Sequence, residues 1–215
     1  MDVIKTTTMI PDHLFGRILL CFTLFGISAC ASDVHKLDTS NKRFYRYGFS
    51  ILSPQEPGWR VKEGESKKIS FYKKGKSPKS ASMVLAYLSK HPLHFDSEAE
   101  FELVMGKLRL SKEFRPKQNV LLQKKASLAP DIGKYCLKSY SKLKDFGRKK
   151  VDKDNYVVRE NFGLLCLHPD DKTKLVNLGV SFRYLPGTED KAIQARAEKI
   201  LAGIRLEPLK LPATQ

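Results

Sequence analysis

Four extended stretches follow one another between residues 119 and 185: Asn119 to Leu128, Lys134 to Phe146, Tyr156 to His168 and Leu175 to Leu185. They are separated by Pro130-Asp131 with Gly133, by a charged stretch from Gly147 to Asp154, and by Pro169-Asp170-Asp171. Connections this short cannot make a parallel crossover, so the four stretches predict an antiparallel meander. Cys136 and Cys166 lie symmetrically about Val151, inside the charged turn, so a hairpin centred there places them directly opposite. The same register sets Tyr140 against Phe162 and Lys142 against Glu160, both favourable cross-strand neighbours. In an oxidising compartment such a pair is expected to form a disulfide. Closing a loop of this size would stabilise the fold by about 3–4 kcal/mol. The alternative is a pair of buried free thiols acting as small apolar residues. A redox role is disfavoured, because the separation lacks the Cys-X-X-Cys spacing that lowers a thiol pKa.

Upstream, Phe44 to Leu52 is aromatic and β-rich, and Ser53-Pro54-Gln55-Glu56-Pro57-Gly58 supplies turn chemistry before a second strand beginning near Trp59. Lys68 to Lys73 alternates apolar and polar residues, Gly75 to Pro78 breaks the pattern, and Ser82 to Ser89 completes a hairpin. Ser97 and Glu100 have capping-box spacing ahead of Phe101, Val104, Met105 and Leu108, which predicts a helix over 97–111 closed by Pro116. Thr188-Glu189-Asp190 is expected to cap a final helix in which Ile193, Ala197, Ile200, Leu201 and Ile204 share a face, with Gly203 ending it. The expected class is α+β: one domain over 44–209, an antiparallel sheet with helices packed on it, then a tail over 210–215. No internal repeat is present.

The opening Tyr47-Gly48-Phe49-Ser50-Ile51, then Pro54 and Gly58-Trp59, followed by hairpin, helix, meander and C-terminal helix, resembles the PsbP/Mog1-like α/β/α sandwich over about residues 44 to 207. That resemblance implies a non-enzymatic binding or assembly domain. It brings no functional residues with it.

Ile18 to Ile27 is a ten-residue run without charge that follows Arg17. It is too short for a spanning helix, which needs about 20 apolar residues, and has the length of a signal-peptide core. Met9 could be the true start without changing that reading. Ile27-Ser28-Ala29-Cys30 resembles the lipobox of bacterial lipoproteins, which implies cleavage of residues 1–29 and acylation of Cys30. Ordinary secretory cleavage near Ala29 or Ala31 is the alternative. Buried acyl chains contribute about 0.8 kcal/mol per methylene, so two or three would anchor the chain to a membrane. Ala31 stands where aspartate would favour inner-membrane retention, so the expected location is the outer membrane, facing the periplasm. Residues 30–43 are polar and are expected to form a tether.

The sequence holds 39 Lys and Arg against 23 Asp and Glu, a net charge of +16. Lys5 and Arg17 balance Asp2 and Asp12 within residues 1–29, so the whole excess sits beyond the leader. Such a field attracts anionic partners without choosing among them. The densest cluster is Lys142, Lys144, Arg148, Lys149, Lys150 and Lys153, at and beside the Cys136–Cys166 hairpin tip. It is a candidate site for anionic lipid, lipopolysaccharide or an acidic polymer, although lysines on sheet edges also serve to discourage aggregation. Nucleic acid is disfavoured by the compartment. His91, His94 and Asp96, with His168, Asp170 and Asp171 as a second arm, come nearest to a metal set, yet loop histidines beside proline are expected to be solvated, and no metal or cofactor is predicted. No Gly-X-Ser-X-Gly elbow, P-loop or dinucleotide fingerprint occurs, and no catalytic residue is assigned. The expected role is binding or assembly with an envelope protein or polymer; an anionic-lipid binder and an enzyme with an unfamiliar site are the alternatives.

Overall fold

A computed structural model describes residues 34–37, 41–113, 118–147 and 155–210. The chain divides into two units, Met1–Ala31 and Ser32–Gln215, and every described residue belongs to the second. Cys30, Pro116, Arg148, Lys149, Lys150 and Lys153 lie outside the described residues. In chain order the elements are β1 (Val34–Lys36), β2 (Arg43–Arg46), β3 (Phe49–Leu52), β4 (Arg60–Glu65), β5 (Lys68–Lys74) and β6 (Ala81–Lys90). There follow α1 (Glu98–Glu113), β7 (Asn119–Leu128), β8 (Cys136–Asp145), β9 (Val157–Leu167), β10 (Lys174–Tyr184), α2 (Ile193–Leu201) and β11 (Ile204–Leu206). No helix among the described residues is long and apolar enough to cross a membrane.

The meander forms as the turn chemistry dictates, with β7 to β10 pairing antiparallel in sequence. β10 then pairs with β6, so the β4-β5-β6 meander continues the sheet in the order β1-β4-β5-β6-β10-β9-β8-β7. α1 carries the chain from β6, in the middle, to β7 at the far edge. The Ser97 hydroxyl accepts the Glu100 amide at 3.1 Å, as the capping box predicts, but the Glu100 carboxylate returns to the Asp96 amide at 2.8 Å instead of to that of Ser97.

Strand alternation sorts the core into two layers. Phe162, Leu164, Cys166, Val176, Leu178 and Val180 face one side, where Ile193, Ala197 and Leu201 of α2 cover them together with Phe44, Phe49 and Ile51. Leu137, Leu165, Leu167 and Leu175 face the other side and pack against Phe101 and Met105 of α1. The result is an antiparallel sheet with two helices packed on it, one per face.

Several local expectations are corrected. Phe44 to Leu52 is not one strand: the chain reverses at Tyr47-Gly48, with Gly48 at φ 81°, and pairs β2 with β3. β11 adds to β3, making a second, three-stranded sheet in the order β11-β3-β2. Ile204 therefore belongs to a strand and not to the helix. α2 starts at Ile193 with no side-chain cap; Asp190 instead accepts the Ala192 amide at 2.8 Å in the turn before it. Gly203 follows the helix, where a side chain would come within 3.1 Å of Leu52 Cβ, so the need is for close approach to β3. Part of the expected tether is folded: Val34–Lys36 pairs with Lys62–Arg60 and Leu37 is buried, because an edge strand needs backbone partners more than apolar alternation.

His168 is the largest departure. It is buried, with 1% of its surface exposed, and not solvated. Its Nδ1 accepts the Asp170 amide at 3.2 Å, so Nε2 carries the proton and donates to the carbonyls of Gly48 at 3.1 Å and Glu207 at 2.8 Å. One ring thus ties the end of β9 to both the β2–β3 turn and the segment after β11. Replacing His168 with Ala leaves a cavity and takes the imidazole donor from the Glu207 carbonyl, while Gly48 keeps the Glu207 amide at 3.2 Å; it is expected to cost about 2–4 kcal/mol of unfolding free energy by chemical denaturation. A loss below about 0.5 kcal/mol, the range of an ordinary surface substitution, would contradict that role.

Candidate functional site

The pairing of β8 with β9 sets Cys136 opposite Cys166, Tyr140 opposite Phe162 and Lys142 opposite Glu160. The two cysteines form a disulfide, each 1% exposed, with their Cα atoms 4.1 Å apart. That spacing suits a position where the strands exchange no hydrogen bonds and side chains stand closest.

On the α2 side, a groove of about 800 Å³ runs between α2 and strands β7 and β8. Phe162, Leu201 and Ile204 supply its apolar part, and Lys125, Lys138 and Glu198 supply charge. Lys125 stands opposite Tyr140 across the strand pair, and the Tyr140 ring lies 5.0 Å from that of Phe162. The charged groups are largely committed to one another. Lys138 donates to Asp131 at 2.8 Å. Glu160 accepts the Tyr140 hydroxyl at 2.9 Å and the Tyr184 hydroxyl, with the Lys142 ammonium at 3.4 Å. Burial, followed by the hydrogen bond and charge of Glu160, pushes both phenols well above the ordinary tyrosine value of 10.0. Lys144 lies over the Tyr156 ring at 4.6 Å. Lys142 and Lys144 thus share one face of β8, each already engaged, and the other four cations of the predicted cluster lie outside the described residues. A saturated carboxylate beside an open, part-apolar groove suits holding a ligand more than moving a proton.

A second hollow, of about 360 Å³, lies on the α1 side, lined among others by Arg109, Asp145, Arg159, Asn161 and Ser181. Gly163 and Gly179 are directly paired, and a side chain on Gly163 would come within 2.8 Å of Arg109 Nη2 and 2.4 Å of Ser139 Oγ. The two glycines let the guanidinium approach the sheet. Paired glycines inside strands were the available signal for this hollow, since such glycines mark close approach. Glu160 was visible in sequence only as the neighbour of Lys142; its two phenol partners come from different strands.

The histidines do not gather into a metal site. His91 lies on the Lys172 carbonyl at 2.8 Å through Nε2 and accepts the Leu93 amide through Nδ1 at 3.2 Å, while His168 is occupied as described. Asp171 serves the β9–β10 turn: Lys174, then the Thr173 hydroxyl and amide, hold its carboxyl well below the usual carboxylate range. Among the described residues, no three His, Cys, Asp or Glu side chains are grouped to hold a metal ion.

No protein-family model matches the chain, and no curated protein matches it in sequence. Among solved structures it is similar to the solution structure of cyanobacterial PsbP (CyanoP) from Synechocystis sp. PCC 6803, at 11% identity and a TM-score of 0.44. The match covers 77% of this chain and 92% of that one. It transfers no residue and no role.

The phenol pair gives a pH prediction. Because their folded-state values are raised, the stability they contribute is full below pH 10 and is lost as pH climbs toward the folded values. Of the eight tyrosines, Tyr140 and Tyr184 are expected to stay un-ionised in a 295 nm absorbance titration until the protein unfolds. Replacing Tyr184 with Phe should flatten the alkaline loss of stability. Reversible ionisation of all tyrosines near pH 10 in the folded protein would contradict the arrangement.

Proposed function

We propose that the chain is a cell-envelope lipoprotein, fixed to the outer membrane through Cys30 and facing the periplasm, whose domain binds an envelope protein or anionic polymer without catalysing a reaction. The observation that carries this reading is the Cys136–Cys166 disulfide, buried within a strand pair. Structural disulfides persist in oxidising compartments, so the bridge argues for a domain that works outside the cytosol. The lipobox-like Ile27-Ser28-Ala29-Cys30 supports the same compartment on separate grounds. Binding is favoured over chemistry because Glu160, the most enclosed acid near the groove, is committed to Tyr140, Tyr184 and Lys142.

A second reading places the binding on anionic lipid or lipopolysaccharide at the β8–β9 hairpin, through Lys142, Lys144, Arg148, Lys149, Lys150 and Lys153. The density of positive charge there favours it, and it requires binding that fades as salt shortens electrostatic reach.

Two measurements test the main reading. Radiolabelled palmitate should enter the full-length protein and be lost entirely in Cys30→Ala, whose leader should remain attached. Crosslinking in intact cells should then recover a discrete envelope partner, with a yield cut at least several-fold by Lys125→Glu combined with Glu198→Lys. Label that survives Cys30→Ala would refute the anchor, and a partner indifferent to the groove variant would refute the groove.

A further inference from the structure

The α1 side of the sheet is covered unevenly. α1 packs on β7 and β8 and reaches β10 at Leu175 and Gly179, whereas on β1, β5 and β6 large side chains on that side stand exposed, Val34 at 55%, Tyr72 at 42% and Met83 at 46%. The pairing registers fix what surrounds them. One cross-strand row runs Lys36, Arg60, Tyr72, Met83, Ser181. The next runs Val34, Lys62, Ser70, Leu85, Gly179. On the other flank stand Lys74, Ala81, Arg183, Arg159.

Two like-charge pairs are therefore directly opposed, Lys36 with Arg60 and Arg159 with Arg183. Like charges in that position destabilise a sheet. Asp145 partners Arg159 at 3.3 Å, but Lys36, Arg60, Lys62, Lys74 and Arg183 make no ion pair among the described residues. Their exposed side chains share the face of the sheet that carries Tyr72 and Met83.

We propose that this face rests on an anionic phospholipid surface, with Lys36, Arg60, Lys62, Lys74 and Arg183 meeting headgroup phosphates and Tyr72 and Met83 seated at the interface between them. The chemistry fits. Unpaired cations supply the attraction, long basic side chains and tyrosine are the groups that settle at headgroup depth, and strands about 4.8 Å apart spread the charges over an area of several headgroups. The proposal rests on the lipid-anchored reading, since β1 begins four residues after Cys30 and a chain reaches at most about 3.6 Å per residue, or about 14 Å in all. The anchor then brings this edge of the sheet within reach of the bilayer, and the basic face orients the domain on it.

The test uses the full-chain protein, expressed with its leader and reconstituted into phosphatidylcholine vesicles with or without phosphatidylglycerol. Lysine acetylation is read by peptide mass spectrometry, and intact mass reports separately whether Cys30 is acylated. Lys36, Lys62 and Lys74 are expected to react about fivefold more slowly on the anionic vesicles, with Lys138 and Lys199 unchanged as references. Salt at about 1 M, where the Debye length falls to about 3 Å, should remove the protection. The variant Arg60→Gln with Arg183→Gln should lose most of the protection at Lys62 and Lys74 without a lower melting temperature, because each change relieves a like-charge pair.

Acylated protein with equal lysine reactivity on both vesicle types overturns this inference and leaves the lipoprotein reading standing. Unacylated protein overturns the lipoprotein reading; if it still sediments with anionic vesicles alone and protects the same lysines, the lipid-binding face is supported, and if it does not, the face fails as well. Protection by soluble polyphosphate with none by vesicles also overturns it.

Discussion

The bond between Cys136 and Cys166 holds β8 and β9 at one register over their whole length, from the bridge itself to the pairing of Asp145 with Val157. Side chains alternate between the faces of a strand, so a slip of one residue would turn Glu160, Phe162 and Leu164 out of the α2-side layer and put Arg159 and Asn161 in their place. β10 is laid against β9 and β6 against β10. The register fixed at one hairpin therefore propagates to the middle of the sheet and decides which side chains stand beside the groove and which stand on the open face. Closing the loop contributes about 3–4 kcal/mol, a large share of the 5–15 kcal/mol that typically holds a domain together.

The charge of the protein divides accordingly. On the α2 side, several cations are matched: Lys73 with Glu56 at 2.8 Å, Arg46 with Glu63 at 2.7 Å, Lys142 with Glu160 at 3.4 Å. That layer carries α2, the small sheet and the larger core, where unmatched charge would meet a low dielectric. On the α1 side of β1, β4, β5, β6 and β10, cations oppose cations. Part of the net charge of +16 is thus displayed on that face, as Lys36, Arg60, Lys62, Lys74 and Arg183. Arg159 is held by Asp145 at 3.3 Å, whereas Arg183 opposite it makes no ion pair among the described residues.

Legibility in the sequence followed the range of the interactions. The meander, its bridge and the pairs Tyr140–Phe162 and Lys142–Glu160 could be read because a hairpin's register depends on its own turn. α1 could be read from its cap and the spacing of Phe101 and Met105. The three-stranded sheet was hidden, since β11 has only three residues and finds its partner β3 some 150 positions earlier. β1 was hidden because an edge strand bears no apolar alternation. His168 looked like a loop residue beside a proline, and its burial follows from carbonyls at Gly48 and Glu207 that only the folded chain brings to it. The site divided the same way: Lys142 and Glu160 were adjacent by register, whereas Tyr184 reaches Glu160 only because β10 lies on the other side of β9.

The most direct test of this account is the oxidation state of Cys136 and Cys166 in living cells. Cells making the full-length protein would be quenched in acid, alkylated without reduction and analysed by peptide mass spectrometry, beside cells making a form without residues 1–29. The account predicts that the two cysteines are linked in the first protein and alkylated as free thiols in the second. Free thiols at both positions in the full-length protein would contradict it, removing together the locked register as a covalent constraint and the oxidising compartment it argues for.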